Sequence, residues 1–95
     1  MAYGWIITRD VLDEEDPQFN KDHGFKSEVG ISGPRGVQFT DEEILKGKEF
    51  MMYDDDLNLY YVGKIIGDYS GFEPLDDFGM PNAGCTSIWY DGVQL

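Results

Sequence analysis

Asp54-Asp55-Asp56-Leu57-Asn58 sets two carboxylates and an amide at alternate positions, D-x-D-x-N, which is how a calcium loop begins. Such a loop also needs glycine at its sixth position and a bidentate glutamate at its twelfth. Leu59 and Ile65 stand there instead, so this stretch reads as an acidic hairpin tip without a metal. Gly30, Gly33 and Gly36 have the look of a phosphate loop, but no Gly-Lys-Ser/Thr follows and Pro34 interrupts them. They read as turn residues. Cys85 and His23 are the sole cysteine and histidine. Cys85 opens an apolar strand and reads as a buried thiol, and His23 as a solvated imidazole in a polar stretch. The two cannot close a zinc site by themselves. Asp76-Asp77 could carry general acid–base chemistry, yet in a chain this acidic some carboxylate pair arises by chance. The residues point to no catalytic group, metal or other cofactor, and hence to a protein that is not an enzyme.

Charge is the stronger signal. Nineteen Asp and Glu against seven Lys and Arg give a net −12 with His23 neutral, beyond the ~2–8 that keeps a small domain soluble. Free nucleic acid and anionic membranes would be repelled, and a basic protein surface attracted. The acids gather at Asp10/Asp13/Glu14/Glu15/Asp16, Asp41/Glu42/Glu43, Asp54/Asp55/Asp56 and Glu73/Asp76/Asp77. On a globule ~30 Å wide, twelve charges match ~20 Å of duplex, or ~6 base pairs. If this acidity serves a partner, the clusters should converge on one face; if they point in unrelated directions, solubility explains them. Tyr53, Tyr60, Tyr69, Phe72 and Tyr90 lie beside the clusters and could anchor an interface.

These residues need a scaffold. Ninety-five residues allow one domain, 1–95, and fourteen aromatics can fill its core. Tyr3 to Thr8 reads as a strand. Residues 10–24 read as loop or short helix, and 30–36 as turns. Thr40-Asp41-Glu42-Glu43 carries a capping box, Thr40 to the Glu43 amide and Glu43 back to the Thr40 amide, with Gly47 ending the helix. Glu49–Asp54 and Leu59–Ile66 form a hairpin. Residues 72–84 turn, with room for one helical turn at Leu75 to Phe78. Cys85–Tyr90 is a strand, and Asp91-Gly92 is a hairpin turn before Val93. The fold class is α+β: a twisted antiparallel sheet of four to five short strands with one or two short helices, its later strands in an order that suits a meander.

Three stretches, Gly4-Trp5-Ile6-Ile7-Thr8, Tyr53-Asp54-Asp55-Asp56 with Leu59-Tyr60-Tyr61-Val62-Gly63, and Pro74-Leu75-Asp76-Asp77-Phe78-Gly79 with Pro81 to Thr86, resemble small acidic proteins of bacteria and their mobile elements. In size, charge and lack of chemistry the chain also resembles phage-encoded anti-CRISPR proteins that mimic DNA, including inhibitors of type I effectors. That likeness implies an inhibitor that blocks a DNA-binding surface, with a CRISPR effector subunit as partner. An immunity protein against a basic nuclease toxin, or a non-catalytic assembly adaptor, fits the same composition. The expected contact residues are Asp54, Asp55, Asp56, Asp76, Asp77, Asp13, Glu14, Glu15, Asp41, Glu42, Tyr60 and Tyr90. One cysteine, no signal peptide and no apolar run long enough for a membrane span point to the cytoplasm of a bacterial host.

Overall fold

A bulge in the first strand decides which of its side chains go inward. β1 (Gly4–Asp10) pairs antiparallel with β4 (Leu59–Ile66), matching Trp5 to Ile65 and Ile7 to Gly63. Thr8 is then extra, and the register resumes at Arg9 with Val62 and Asp10 with Tyr61. Since faces alternate along a strand, one inserted residue turns Arg9 outward and Asp10 inward. Asp10 is accordingly buried and Arg9 exposed.

In this computed structural model residues 4–15, 17–22, 24, 27–34, 37–67 and 70–95 are described. They form six strands, all antiparallel, in the order β2-β1-β4-β3-β5-β6. β3 is Lys48–Tyr53 and β5 is Ser87–Tyr90; β2 (Ser32–Gly33) and β6 (Val93–Gln94) are two-residue edges. The helices are short: α1 (Val11–Glu15), α2 (Pro17–Asp22), α3 (Asp41–Lys46) and α4 (Met80–Ala83), with a π-helical turn at Leu75–Gly79 before α4. The fold is α+β as the sequence suggests, with the strand count extended by the two brief edges.

The strand order departs from a meander. After β4 the chain crosses the sheet through the π-helical turn and α4, so β5 pairs with β3, Phe50 opposite Tyr90 and Met52 opposite Ile88. The reason is apolar. Leu75, Phe78 and Cys85 lie on the crossing segment and complete a core with Trp5, Ile7, Phe50, Met52, Tyr61, Ile65, Ile88 and Tyr90. The Phe78 ring sits 5.4 Å from Trp5 and 4.9 Å from Tyr61, centroid to centroid. Such tilted and edge-on contacts suit the ring quadrupoles. The hairpin turn at Asp91-Gly92 forms as its residues predict, both at positive φ (51° and 76°).

The other sheet face is only partly covered. Val62 is buried there, while Ile6, Met51, Tyr53, Lys64 and Trp89 are half-exposed. Among the described residues no helix is long and apolar enough to cross a membrane.

Candidate acidic interface

Each strand end fixes where the loops, and therefore the acids, are held. β1 finishes at Asp10 opposite Tyr61, and the β3–β4 hairpin turns between Tyr53 and Leu59, which pair with each other. α1 and the 54–58 turn therefore share one end of the sheet. Asp13, Glu14 and Glu15 thus lie at the same end of the sheet as Asp54, Asp55 and Asp56. α3, with Asp41 and Glu42, precedes β3 and lies at the opposite end. Asp76 and Asp77 ride on the π-helical turn that covers the core face. Contrary to the expectation for acidity that serves a partner, the four clusters do not converge on one face but divide among the hairpin end, the α3 end and the π-helical turn. Two of them do share an end.

Several of these carboxylates build the loops that carry the others. Asp54 Oδ1 accepts from the backbone N–H of Asp56 (2.9 Å) and Asn58 (2.8 Å), and Oδ2 from the Asn58 amide (3.0 Å). The Asn58 backbone first, then its side chain, holds the Asp54 carboxyl below its ordinary range, and Tyr60 adds a further hydrogen bond. That bond to Asp54 is also the main reason the Tyr60 phenol is raised. The turn tightens through Leu57 at φ 62° and leaves Asp55 and Asp56 exposed. The D-x-D-x-N pattern is thus an Asx-type turn, with the Asp54 oxygens taken up by N–H donors of its own loop and by Tyr60. Among the described residues no group of three or more His, Cys, Asp and Glu could hold a metal ion.

Asp10 plays the same part for α1. Its two oxygens accept from the amides of Asp13 (3.1 Å) and Glu28 (3.0 Å), capping the helix and tying down the following segment. Glu73 accepts from Ser70 (2.8 Å) and Gly71 (2.7 Å). Burial acts against its charge, but these amides outweigh it and hold the carboxyl below its usual value. Glu14 receives Arg9 Nε at 2.9 and 3.0 Å, Glu42 receives Lys46 at 2.9 Å, and Asp77 receives the Trp5 indole at 3.2 Å. Glu15, Asp41 and Asp76 are exposed, and Asp13 is half-buried.

The aromatic candidates separate clearly. Tyr60 lies half-buried beside the acidic hairpin, packed against the core. Tyr90 is not a surface anchor: it is 6% exposed, and its hydroxyl donates to Gly71 O at 2.7 Å. It ends β5 on the inward side of the pleat, as its pairing with Phe50 requires. Tyr53 is half-buried and Phe72 exposed, while Asp16, His23 and Tyr69 lie outside the described residues. Cys85 is fully buried, and desolvation first, then the nearby Asp54 charge, pushes its thiol up to about 12. It is a poor nucleophile there. Trp89 escaped the sequence reading. Strand alternation in Ser87-Ile88-Trp89-Tyr90 carried the signal: with Ile88 and Tyr90 inward, Trp89 must face the open side.

Three of the four described lysines, Lys46, Lys48 and Lys64, belong to the end opposite the hairpin, where Lys64 Nζ reaches Gly47 O at 3.4 Å, while Lys21 lies on α2, which follows α1. Comparison of the chain with protein-family models, curated proteins and solved structures returned no match.

Proposed function

We propose that the protein is a DNA-mimic inhibitor that occupies a Lys- and Arg-lined DNA-binding surface of a bacterial defence complex, a type I CRISPR effector being the expected target. The observation that supports this reading is that α1 and the 54–58 turn share one end of the sheet. Glu15, Asp55 and Asp56 are exposed there, and three of the four described lysines, 46, 48 and 64, belong to the other end, with Lys21 following α1 on α2. A molecule polarised in this way is steered acidic end first toward a basic groove. The rigid turn adds short-range value, since Asp54 fixes the loop and little ordering cost remains when Asp55 and Asp56 meet a cation. Asp76 and Asp77, on a different surface, would meet a second part of an enclosing channel.

The test is a gel-shift competition between the protein and a target duplex for a purified type I effector complex, at low and high salt. The protein should displace the duplex, and tenfold or greater weakening is expected for the Asp55→Asn/Asp56→Asn/Glu15→Gln variant, since each charge-assisted contact contributes about 1.5–3 kcal/mol. Raising the salt should weaken displacement by wild type more than by the variant. Binding without displacement of DNA, or full inhibition by the neutralised variant, would overturn the reading in favour of an adaptor.

A further inference from the structure

We infer that the groove between β3 and β5 on the open face of the sheet is a seat for an arginine side chain of the partner. This rests on the basic-partner reading above and assigns one of that partner's cations a place. Glu49, Met51, Tyr53, Trp89, Asp91 and Gly92 line the groove, whose volume is about 100 Å³. That is the space of about three waters, enough for a flat guanidinium and too little for a helix or a peptide strand.

The lining is built before any ligand arrives. Tyr53 and Trp89 meet edge to face, with centroids 5.7 Å apart and planes at 66°. Trp89 Nε1 donates to Ser87 Oγ at 3.0 Å, and the Tyr53 hydroxyl to Met51 Sδ at 3.5 Å. With their polar edges so engaged, the half-exposed rings offer π surface, which attracts a cation electrostatically. Glu49 and Asp91 stand exposed at the far end of the groove. The cations nearest in the sheet are directed elsewhere. Lys64, opposite Glu49 in the register, reaches Gly47 O, and Arg9, two strands from Met51, is bonded to Glu14. Lys48 lies over the Tyr90 ring at 5.5 Å.

Aromatic faces at one end and carboxylates at the other select arginine over lysine. A guanidinium is planar, weakly hydrated and able to stack while donating to a carboxylate in its own plane, whereas an ammonium is a compact and strongly hydrated point charge. Position supports the same occupant. Tyr53 adjoins Asp54, so the groove begins at the root of the acidic hairpin and runs about 14 Å along β3 to Glu49. A basic surface docked on Asp55 and Asp56 has a second cation within reach of Trp89.

The experiment titrates the protein with N-acetyl-arginine amide and follows both indole N–H resonances and the backbone amides by NMR, with the citrulline analogue as the uncharged control. The Trp89 indole and the amides of Glu49, Met51 and Asp91 should shift saturably with the arginine probe. The buried Trp5 indole should hold still, and citrulline should bind at least about tenfold more weakly. Glu49→Gln/Asp91→Asn, which keeps a residue tolerant of positive φ at position 91, should lose about tenfold in affinity with the Trp5 resonance unmoved. Asp55→Asn/Asp56→Asn should bind the probe as wild type does. Absence of a saturable Trp89 shift, or equal shifts with citrulline, would overturn the arginine seat while leaving competition at the acidic end intact. A seat that forms in a protein unable to displace DNA would instead fault the function and keep the groove.

Discussion

Asp54 is half-buried and holds three N–H donors from its own loop, so its charge acts on the turn before it acts on any partner. A depressed carboxyl of this kind adds stability above its unfolded value, 3.8 for an ordinary aspartate, and loses it as pH falls through the lower folded value. Asp54→Ala should therefore lower the melting temperature at pH 7 by a few degrees, and Asp55→Ala, without those bonds, by less. The gap between Asp54→Ala and wild type should close as the solution is taken below pH 3.8. Thermal melts followed by circular dichroism across that range check both statements. A gap that stays constant into acid would mean that the carboxylate charge does not hold the turn.

At the scale of elements, local chemistry was legible and long-range pairing was not. The capping box formed as read, with Glu43 N to Thr40 Oγ1 at 3.2 Å and Thr40 N to Glu43 Oε1 at 3.0 Å. So did the β3–β4 hairpin and the Asp91-Gly92 turn. β2 was missed because its two residues pair only through contact with Trp5 and Ile6, a distant strand that leaves no period in Ser32-Gly33. The exchange of neighbours that seats β5 on β3 depends on Leu75 and Phe78 reaching across the sheet, which no local pattern encodes. The acidic end was legible as clusters. Its assembly at one end from α1 and the hairpin required the β1–β4 register, and the open-face groove required knowing that Trp89 stays half-exposed on that face. Gly63 shows what the sheet demands of one position. A Cβ there would run into the Ile6 carbonyl and the Phe50 ring, and backbone in the middle of a sheet cannot step aside. Gly63→Ala should cost about 1–3 kcal/mol, read as a lowered urea midpoint with an unchanged slope. A midpoint equal to wild type would show that β1 and β4 can separate at this point without loss.

The whole molecule carries its net −12 within 41 × 27 × 21 Å. Like charges that close repel, and added salt screens those separated by more than the Debye length of ~10 Å at 0.1 M. Wild type should therefore melt at a higher temperature in 0.2 M than in 0.01 M sodium chloride, unlike a protein held up by surface ion pairs, and scanning calorimetry decides the sign. A fall with salt would mean that pairs such as Arg9–Glu14 and Lys46–Glu42 outweigh the net repulsion. The same field that taxes the folded chain lengthens its reach toward a basic surface, so affinity and salt-induced stability should move in opposite directions.

The place of β1 between β2 and β4 bears on how the chain is made. Its main partner, β4, lies more than fifty residues further along, at Leu59–Ile66. A growing chain on the ribosome therefore exposes Trp5, Ile6 and Ile7 with only the two-residue β2 to join until β4 emerges. At ~5–20 residues per second that exposure lasts for seconds. The acidic stretch of Asp10, Asp13, Glu14 and Glu15 follows directly, so each waiting strand is flanked by charge that keeps it from its copies on neighbouring ribosomes.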